Sequence, residues 1–505
     1  MPMKWKIITC VNLIVVASLN AQTPADALRL SYQTLGGGTA RSMGVGSAIG
    51  ALGADYTAVG INPAGLASYR TSEIVLSLGL SQSRTNAILK DKTVVNASNQ
   101  DQSTKFFISN LALVGCIKPK RGNWLTHNWT VGFNRTNNYA GAYYFKGESR
   151  GSVVNRFLEK ANNGGSLNPF EEQLANETGA IYRKNASVPY KSDFDGYNDV
   201  PITKSQRGAT SGRVNEMLFG YAANYREKLQ IGVALGVPFI RFFDNRIYKE
   251  SDTETATDIG RIPSFKELTF REIYNVSGTG INARIGLIYK PAYALRFGLS
   301  AQTPTRFFLS EGYNNSFNYQ YIDVNASGGL VEGNETSRSP DGTFDYKINT
   351  PWKFTASSAY VIGKNGFVSA DIDFINYSRM NFEYGIEDKD AQQSVNDDIR
   401  VDYASTANLR LGAEMAFDIF RFRAGLATLG LPSRASNTGY FENAAKMMSL
   451  GAGLRENHFY FDMAFQFIRT SDVFKPYQVS TDYEQTVVNR TRNSSLIVAT
   501  AGIKF

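Results

Sequence analysis

Apolar and polar residues alternate with a period of two through most of the chain after about residue 72. In "SEIVLSLGLS", for example, one face carries Ile74, Leu76, Leu78 and Leu80. A period of two is typical of a β-strand with one apolar face. The pattern predicts fourteen strands, near residues 72–86, 103–118, 127–146, 214–227, 229–250, 266–290, 293–322, 343–362, 365–384, 402–417, 419–430, 445–457, 458–470 and 493–505.

The connections between these strands alternate in length. Short ones such as "REKLQ" and "KPAY" take turns with long polar ones, of which the longest spans residues 147–213. Short turns at one end and long loops at the other are typical of a transmembrane β-barrel. A sandwich would mix its loop lengths and expose its polar face. The fold is therefore predicted to be all-β: an antiparallel barrel of about fourteen strands over residues 72–505, closed because lipid tolerates no free sheet edge.

The first 21 residues have the pattern of a secretory signal peptide. Lys4 and Lys6 precede an apolar stretch from Ile7 to Leu19, and Ala21-Gln22 offers a cleavage point. Only Cys116 would remain after cleavage, which rules out an internal disulfide. The chain is thus predicted to be exported and to lie in the outer membrane of a Gram-negative cell.

Charge and composition exclude several function classes. The net charge of +8 comes from basic residues dispersed among acidic ones, whereas nucleic-acid binders cluster them. Both histidines, His127 and His458, fall at predicted periplasmic turns, and H-E-x-x-H does not occur. We expect no catalytic residues, no metal site, no cofactor and no nucleic-acid partner.

About fifty residues, 22–71, precede the first strand, and they include the small-residue stretch "GVGSAIGALGADYTAVGINPAG". A nucleotide site is excluded because no G-x-G-x-x-G and no Gly-Lys-Ser/Thr occurs there. A plain linker would be more polar and featureless. A barrel of fourteen strands has a lumen too wide for wall side chains to fill. The segment is predicted to plug that lumen.

The stretch "GGGTARSMGVGSAIGALGADYTAVGINPAGLASYR" resembles the N-terminal hatch of the FadL/TodX family of outer-membrane transporters for hydrophobic compounds. The similarity rests on the Gly-Gly-x-Ala-Arg start that ends at Arg41, on Asp55, and on the box from Asn62 to Leu66. It implies a hatch over residues 22–71, a ligand site near the extracellular loops and a lateral opening at a kinked third strand. The implied gate residues are Arg41, Asp55, Asn62, Pro63 and Ala64.

The chemistry of two segments agrees with this picture. Asn-Pro makes a rigid bend, because proline fixes φ and asparagine turns its own backbone; the alternative is an ordinary turn into the first strand. In "FNRTNNYAG", five consecutive polar residues cannot serve a lipid face, so we expect a bulge. The alternative is a strand that has risen above the membrane. The lateral-opening candidates are Asn134, Arg135, Asn137, Asn138 and Gly141.

Two sets of residues are candidates for ligand binding. In the loop 147–213, helix-like pieces carry Phe157, Leu158, Phe170 and Leu174, which form either a collecting patch or simply the packing of the loop. On the inward phase of the strands, Arg284, Arg296 and Arg410 can pair with a ligand carboxylate or with carboxylates across the lumen. Pro238, Pro304 and Pro432 are predicted to mark bulges near the outer rim.

The predicted function is uptake of hydrophobic small molecules by hatch rearrangement and lateral wall opening. Fatty acid, aromatic hydrocarbon and haem remain open as ligands. Expected partners are outer-membrane lipid, lipopolysaccharide and the barrel-assembly machinery through Phe505, and the chain is expected to be a monomer. Two alternatives stand beside import: a PorV-like component of a protein secretion system, and a simple open porin.

Overall fold

The computed structural model describes residues 22–32, 37–252, 261–324, 330–434, 444–480 and 483–505. The predicted signal peptide lies outside these residues. The strand segments are β1 Glu73–Lys90, β2 Asn99–Ile117, β3 Trp124–Asn138, β4 Gly141–Ser149, β5 Ile202–Tyr225, β6 Leu229–Ser251, β7 Phe265–Tyr289, β8 Leu295–Gln302, β9 Arg306–Val324, β10 Leu330–Arg338, β11 Gly342–Asn349, β12 Lys353–Val361, β13 Gly366–Asn376, β14 Asn381–Glu383, β15 Ser405–Phe417, β16 Phe420–Leu429, β17 Ala445–Arg455, β18 Phe459–Phe474 and β19 Val487–Lys504.

The described helices are short and do not form part of the barrel wall. The α-helices are α1 Pro24–Ser31, α2 Ala40–Gly44, α3 Val153–Asn163, α4 Glu172–Glu177 and α5 Lys389–Asp402. Single-turn 3-10 helices span Tyr56–Gly60, Pro63–Ser68, Tyr377–Arg379 and Ile386–Asp388. Within the described ranges, no helix is long and apolar enough to cross a membrane.

The strand segments form one closed antiparallel sheet. β1 pairs with β2 on one side and with β19 on the other, from Glu73 opposite Lys504 to Lys90 opposite Val487. Four passes of the chain are interrupted, as β3–β4, β8–β9, β10–β12 and β13–β14, and the described segments therefore make fourteen passes. The predicted fourteen-stranded barrel is confirmed.

The alternation of the sequence becomes an apolar exterior and a mixed interior. Outward side chains of neighbouring strands, such as Leu76, Leu450 and Met463, are 39%, 63% and 47% exposed. Their inward neighbours are buried. An outward apolar band around a closed sheet is the arrangement that a bilayer stabilises.

Several strands are longer than the alternation predicts. The third pass continues to Ser149 and the fourth begins at Ile202, so the loop predicted over residues 147–213 is shorter than expected. The extensions are polar, because they lie beyond the apolar band and need no apolar face. Backbone pairing and single buried side chains such as Ile202 and Lys204 hold them, and neither produces an apolar period of two.

The three prolines coincide with interruptions of the sheet. Pro304 separates β8 from β9, and Pro238 lies where the ladder between β6 and β7 skips two residues. Pro432 follows β16, and its carbonyl accepts a 2.8 Å hydrogen bond from Ala404 N–H. Proline cannot donate to a ladder, which explains its place at these breaks.

Candidate functional site

The segment after residue 37 crosses the bore and contacts the wall on both sides. α2 packs against β16 to β19, and the turn Pro63–Ser68 packs against β3, β5, β6 and β7. On the α2 side, Ala40 N–H donates to Thr500 Oγ1 at 2.7 Å. Further along, Gly50 N–H donates to Asp371 Oδ2 at 3.0 Å. This segment, called the hatch below, therefore contacts wall strands on both sides of the bore.

Asn62 fixes the bend of the hatch. Its Nδ2 donates to Gly50 O at 2.8 Å and to Leu287 O of β7 at 3.2 Å, while its Oδ1 accepts from Ala64 N–H at 3.1 Å. Pro63 opens the 3-10 turn that follows, and both residues are buried. The asparagine therefore joins two parts of the hatch to the wall.

Arg41 and Asp55 hold the hatch to itself. Asp55 Oδ2 accepts from Thr39 Oγ1 at 2.6 Å, and its Oδ1 accepts from Thr57 N–H at 2.9 Å. Arg41 Nη1 donates to Ala54 O at 2.6 Å, and its Nε lies 3.8 Å from Glu414 Oε2 of β15. The residues that carry the sequence resemblance thus form the internal framework of the plug.

A set of inward glycines in the wall receives the hatch, and sequence reasoning missed it. A Cβ added at Gly232 would lie 2.5 Å from Pro63 C, and one at Gly298 would lie 2.6 Å from Gly50 O. On the other side, a Cβ at Gly425 would overlap the backbone nitrogen of Gly46. The glycines of this set, called the wall glycines, are Gly232, Gly286, Gly298, Gly412, Gly425 and Gly451.

A sequence signal for the wall glycines exists. The pattern Arg-x-Gly recurs in four strands, in "ARIGL", "LRFGL", "LRLGA" and "FRAGL". Both residues of each pattern face inward, because they are two apart in a strand. Gly298, Gly412 and Gly425 face hatch backbone, and Gly286 faces the Asn62 side chain. The arginine of each pattern lies one inward position away.

The inward arginines are occupied by protein groups. Arg284 Nη2 lies 2.9 Å from Glu216 Oε1, and Arg410 Nη2 lies 2.7 Å from Asp373 Oδ1. Arg423, in the fourth pattern, pairs with Glu414 and Asp462, both at 2.6 Å. Arg296 Nη1 donates to Leu52 O of the hatch at 3.2 Å. The ion pairs run along the wall, between strands that are adjacent or one apart, rather than across the lumen. The carboxylate-binding role stays a prediction.

The third pass loses its partner above Asn134. Pairing between β2 and β3 ends at Asn110 opposite Asn134, although both strands continue. The ladder between β3 and β5 shifts register between Arg135 and Asn137, and β4 starts again at Gly141. The bulge expected in "FNRTNNYAG" is therefore present, and all five lateral-opening candidates lie at it.

Hatch backbone fills this break in the wall. Ser109, the bulged residue of β2, accepts from Gly38 N–H at 2.9 Å and donates to Gly38 O at 2.8 Å. A Cβ on Gly37 would overlap Arg135 O. Tyr139 Oη also donates to Arg29 O of α1 at 3.2 Å. The interrupted ladder and the start of the hatch thus form one structure.

An apolar chamber lies beside the break, and α1 occupies it. Ala27 and Leu30 of α1 pack among buried side chains from β6, β9, β11 and the region around α5. The members of this chamber include Phe242, Phe307, Tyr346, Tyr377, Phe382 and Ile399. A small cavity of about 10 Å³ remains beneath Leu30, bordered by Asn137, Glu216 and Pro238.

The loop residues proposed for ligand collection lie elsewhere. Phe157, Leu158, Phe170 and Leu174 are at most 8% exposed. Phe157, Leu158 and Leu174 belong to a packed cluster between α3, α4 and the extracellular ends of the strands, while the Phe170 ring packs against Tyr313 of β9. This packing is the alternative that the sequence left open. Their binding role stays a prediction.

Ionic contacts clamp this loop to the rim. Arg150 Nε lies 3.5 Å from Asp91 Oδ2, and Arg150 Nη2 lies 3.4 Å from Glu484 Oε1. Burial alone would raise the pKa of Asp91, but hydrogen bonds from Thr93 and Arg150 lower it to about 2. Asp91 is therefore ionised at neutral pH and holds the loop across the barrel mouth.

Solved structures share this architecture. No protein-family profile and no curated protein matches the chain. A Pseudomonas aeruginosa FadL homologue superposes with a TM-score of 0.54, at 12% identity, over 94% of this chain and 99% of the other. The chain has the FadL fold. The P. putida toluene transporter TodX superposes with a TM-score of 0.51, at 14% identity, over 94% and 99% of the two chains.

The fold shared with these structures is the one that the sequence resemblance implied. The two histidines do not meet: His127 Nδ1 lies 2.6 Å from Tyr221 Oη on β5, while His458 lies in the turn before β18. Across the described residues, no group of three or more His, Cys, Asp or Glu side chains is arranged to hold a metal ion.

Proposed function

We propose that this protein is an outer-membrane channel that takes up hydrophobic small molecules, such as long-chain fatty acids or aromatic hydrocarbons. In this proposal the hatch is the gate, and the break between β2 and β3 is the lateral exit into the membrane. The observation that carries the proposal is that the start of the hatch fills this break through Gly37 and Gly38.

The apolar chamber supports the same route. It lies in the extracellular half of the bore, next to the break, and α1, which precedes the hatch, fills it. A ligand that displaces α1 would therefore enter an apolar site and disturb the segment that seals the wall. A ligand can shift a conformational equilibrium only through such a difference in affinity. The similarity to the toluene transporter TodX is consistent with apolar cargo.

The remaining parts of the proposal concern location and partners. We propose that residues 1–21 are removed on export and that the barrel stands alone in the outer membrane among lipid and lipopolysaccharide. Phe505, which is 68% exposed at the end of the wall, is the proposed contact for the barrel-assembly machinery. Residues 22–71 and 72–505 act as gate and barrel.

A reversible disulfide between hatch and wall tests the gate. In a Cys116→Ser background, Ala40→Cys and Thr500→Cys would join α2 to β19, whose residues are already in hydrogen-bond contact. The matched control is Asn318→Cys with Thr336→Cys, opposite residues of the extracellular β9–β10 pair. Accumulation of labelled toluene and a labelled long-chain fatty acid is measured in cells, before and after reduction.

We expect the oxidised hatch variant to fall to the background of cells without the protein, and reduction to restore uptake. The control variant should transport in both states. Full uptake with the disulfide verified by mass would contradict the gate. No uptake above background by the unlocked protein, together with a copurifying translocon, would favour the secretion alternative.

A further inference from the structure

The lipid-facing surface of β13 and β15 to β18 carries a groove of about 640 Å³, within the range of roughly 300–1,000 Å³ that ligand pockets usually have. Its floor is formed by Ala413 and Ala424, which are directly opposite each other. The side chains that wall it are Leu411, Leu426, Met448, Leu450, Phe465 and Phe467. Two small residues between rows of large apolar ones create the depression.

A pair of cations stands at the extracellular end of this groove. Lys446 of β17 and Arg469 of β18 are directly opposite, one outward position beyond Met448 and Phe467. Both side chains are exposed. Like charges placed directly opposite in a sheet destabilise it. Asp472 of β18 pairs with Arg490. Within the described ranges, neither Lys446 nor Arg469 has an ion-pair or hydrogen-bond partner.

The order of the two features fits one kind of molecule. From the middle of the wall outward come an apolar depression and then two positive charges. The charges lie toward the end that carries the long loops and α3 to α5, which in the proposed orientation is the outer leaflet. An amphiphile with an acyl chain and a phosphate headgroup matches both the shape and the charge of this surface.

We propose that this groove is a binding site for a phosphate-bearing glycolipid of the outer leaflet. One acyl chain lies over Ala413 and Ala424, and a headgroup phosphate bridges Lys446 and Arg469. The floor of the groove is the backbone of β15 and β16, whose inner side receives Val45 and Gly46 of the hatch at Gly412 and Gly425. The lipid and the hatch would thus contact opposite sides of the same two strands. The inference requires the outer-membrane location but not the uptake function.

Lipid retention by the purified full chain tests the site. Native mass spectrometry in detergent counts bound diphosphorylated lipid A during titration, with the dephosphorylated lipid as the comparison. Lys446→Gln with Arg469→Gln removes the cations, and we expect about thirtyfold weaker retention of the phosphorylated form, the effect of two charges near an anionic headgroup. Ala413→Leu with Ala424→Leu fills the groove and should weaken retention of both forms.

The control is Arg84→Gln with Arg271→Gln, which removes two outward, exposed charges from β1 and β7. It should retain lipid like the unchanged protein. If the control weakens retention as much as the cation-pair variant, or if the unchanged protein holds both lipid forms equally, the proposal is overturned. Unchanged retention by the cation-pair variant overturns it as well, whether or not the groove-filled variant folds. None of these results depends on transport.

Discussion

Asn62 shows how much of the hatch geometry rests on single side chains. Its rigid bend was predictable, because asparagine before proline has a local conformational preference. Its partners were not. Gly50 lies twelve residues earlier and Leu287 lies on β7, and no local pattern encodes either contact. Gly286 completes the site, since a Cβ there would overlap Asn62 Oδ1. The bend at Asn62 could be predicted from the sequence, but the site in the hatch and wall that receives its side chain could not.

Replacing Asn62 with alanine should loosen the hatch without unfolding the barrel. The change removes the buried partner of Gly50 O and of Ala64 N–H, and each buried group left unsatisfied costs about 1–3 kcal/mol. It also removes the contact between the hatch and Leu287 O. We expect faster amide hydrogen exchange over residues 44–66 and a higher ionic conductance in planar bilayers, at an unchanged barrel melting temperature. Asn318→Ala, at an exposed asparagine of β9, should change neither quantity. Equal exchange in both variants would contradict the anchoring role.

At the scale of elements, the strands were readable because lipid imposes a period of two on every apolar segment that faces it. The pattern stops where lipid stops, so the polar extensions of β4 and β5 were assigned to a loop. The kink of the third pass was readable for the same reason, since polar residues interrupted the pattern. The wall glycines were not recognised, because a glycine on the inner face neither adds to nor breaks an apolar period.

The wall glycines predict a second way to open the channel. In Gly425→Ala the new methyl group overlaps the backbone of Gly46, so the hatch must move away from β16. Overpacking of this kind typically costs about 1–3 kcal/mol. We expect a larger bilayer conductance and faster protease cleavage within residues 37–72 than in the unchanged protein. Gly385→Ala is the matched control, because nothing lies near an added Cβ there. A closed, protease-resistant channel in Gly425→Ala would show that the hatch is not held by close backbone contact.

At the scale of the whole molecule, the apolar side chains form two separate sets, an outer band and an internal chamber. The outer band meets lipid, while the chamber around α1 collects its side chains from strands and helices that are far apart in the sequence. The sequence predicted the outer band because every strand repeats the same alternation. It placed the candidate ligand-collecting residues in the loop before β5, where Phe157, Leu158 and Leu174 pack in a separate cluster. Contacts between distant segments decide where an internal chamber forms, and one sequence does not display them.

The position of the outer band determines how much a lysine substitution should lower the free energy of unfolding at different points along one strand. Met463 and Val473 both belong to β18 and are 47% and 66% exposed, but Met463 lies within the apolar band and Val473 near its extracellular end. A lysine near the bilayer midplane costs about 2–4 kcal/mol, against about 0–1 kcal/mol near the interface. Met463→Lys should therefore lower the free energy of unfolding in phospholipid vesicles far more than Val473→Lys, as measured by denaturant titration. In a water-soluble sheet both positions would be exposed to the same solvent and both substitutions would cost little. Equal effects in vesicles would therefore place the band outside the membrane and remove the basis for lateral exit into lipid.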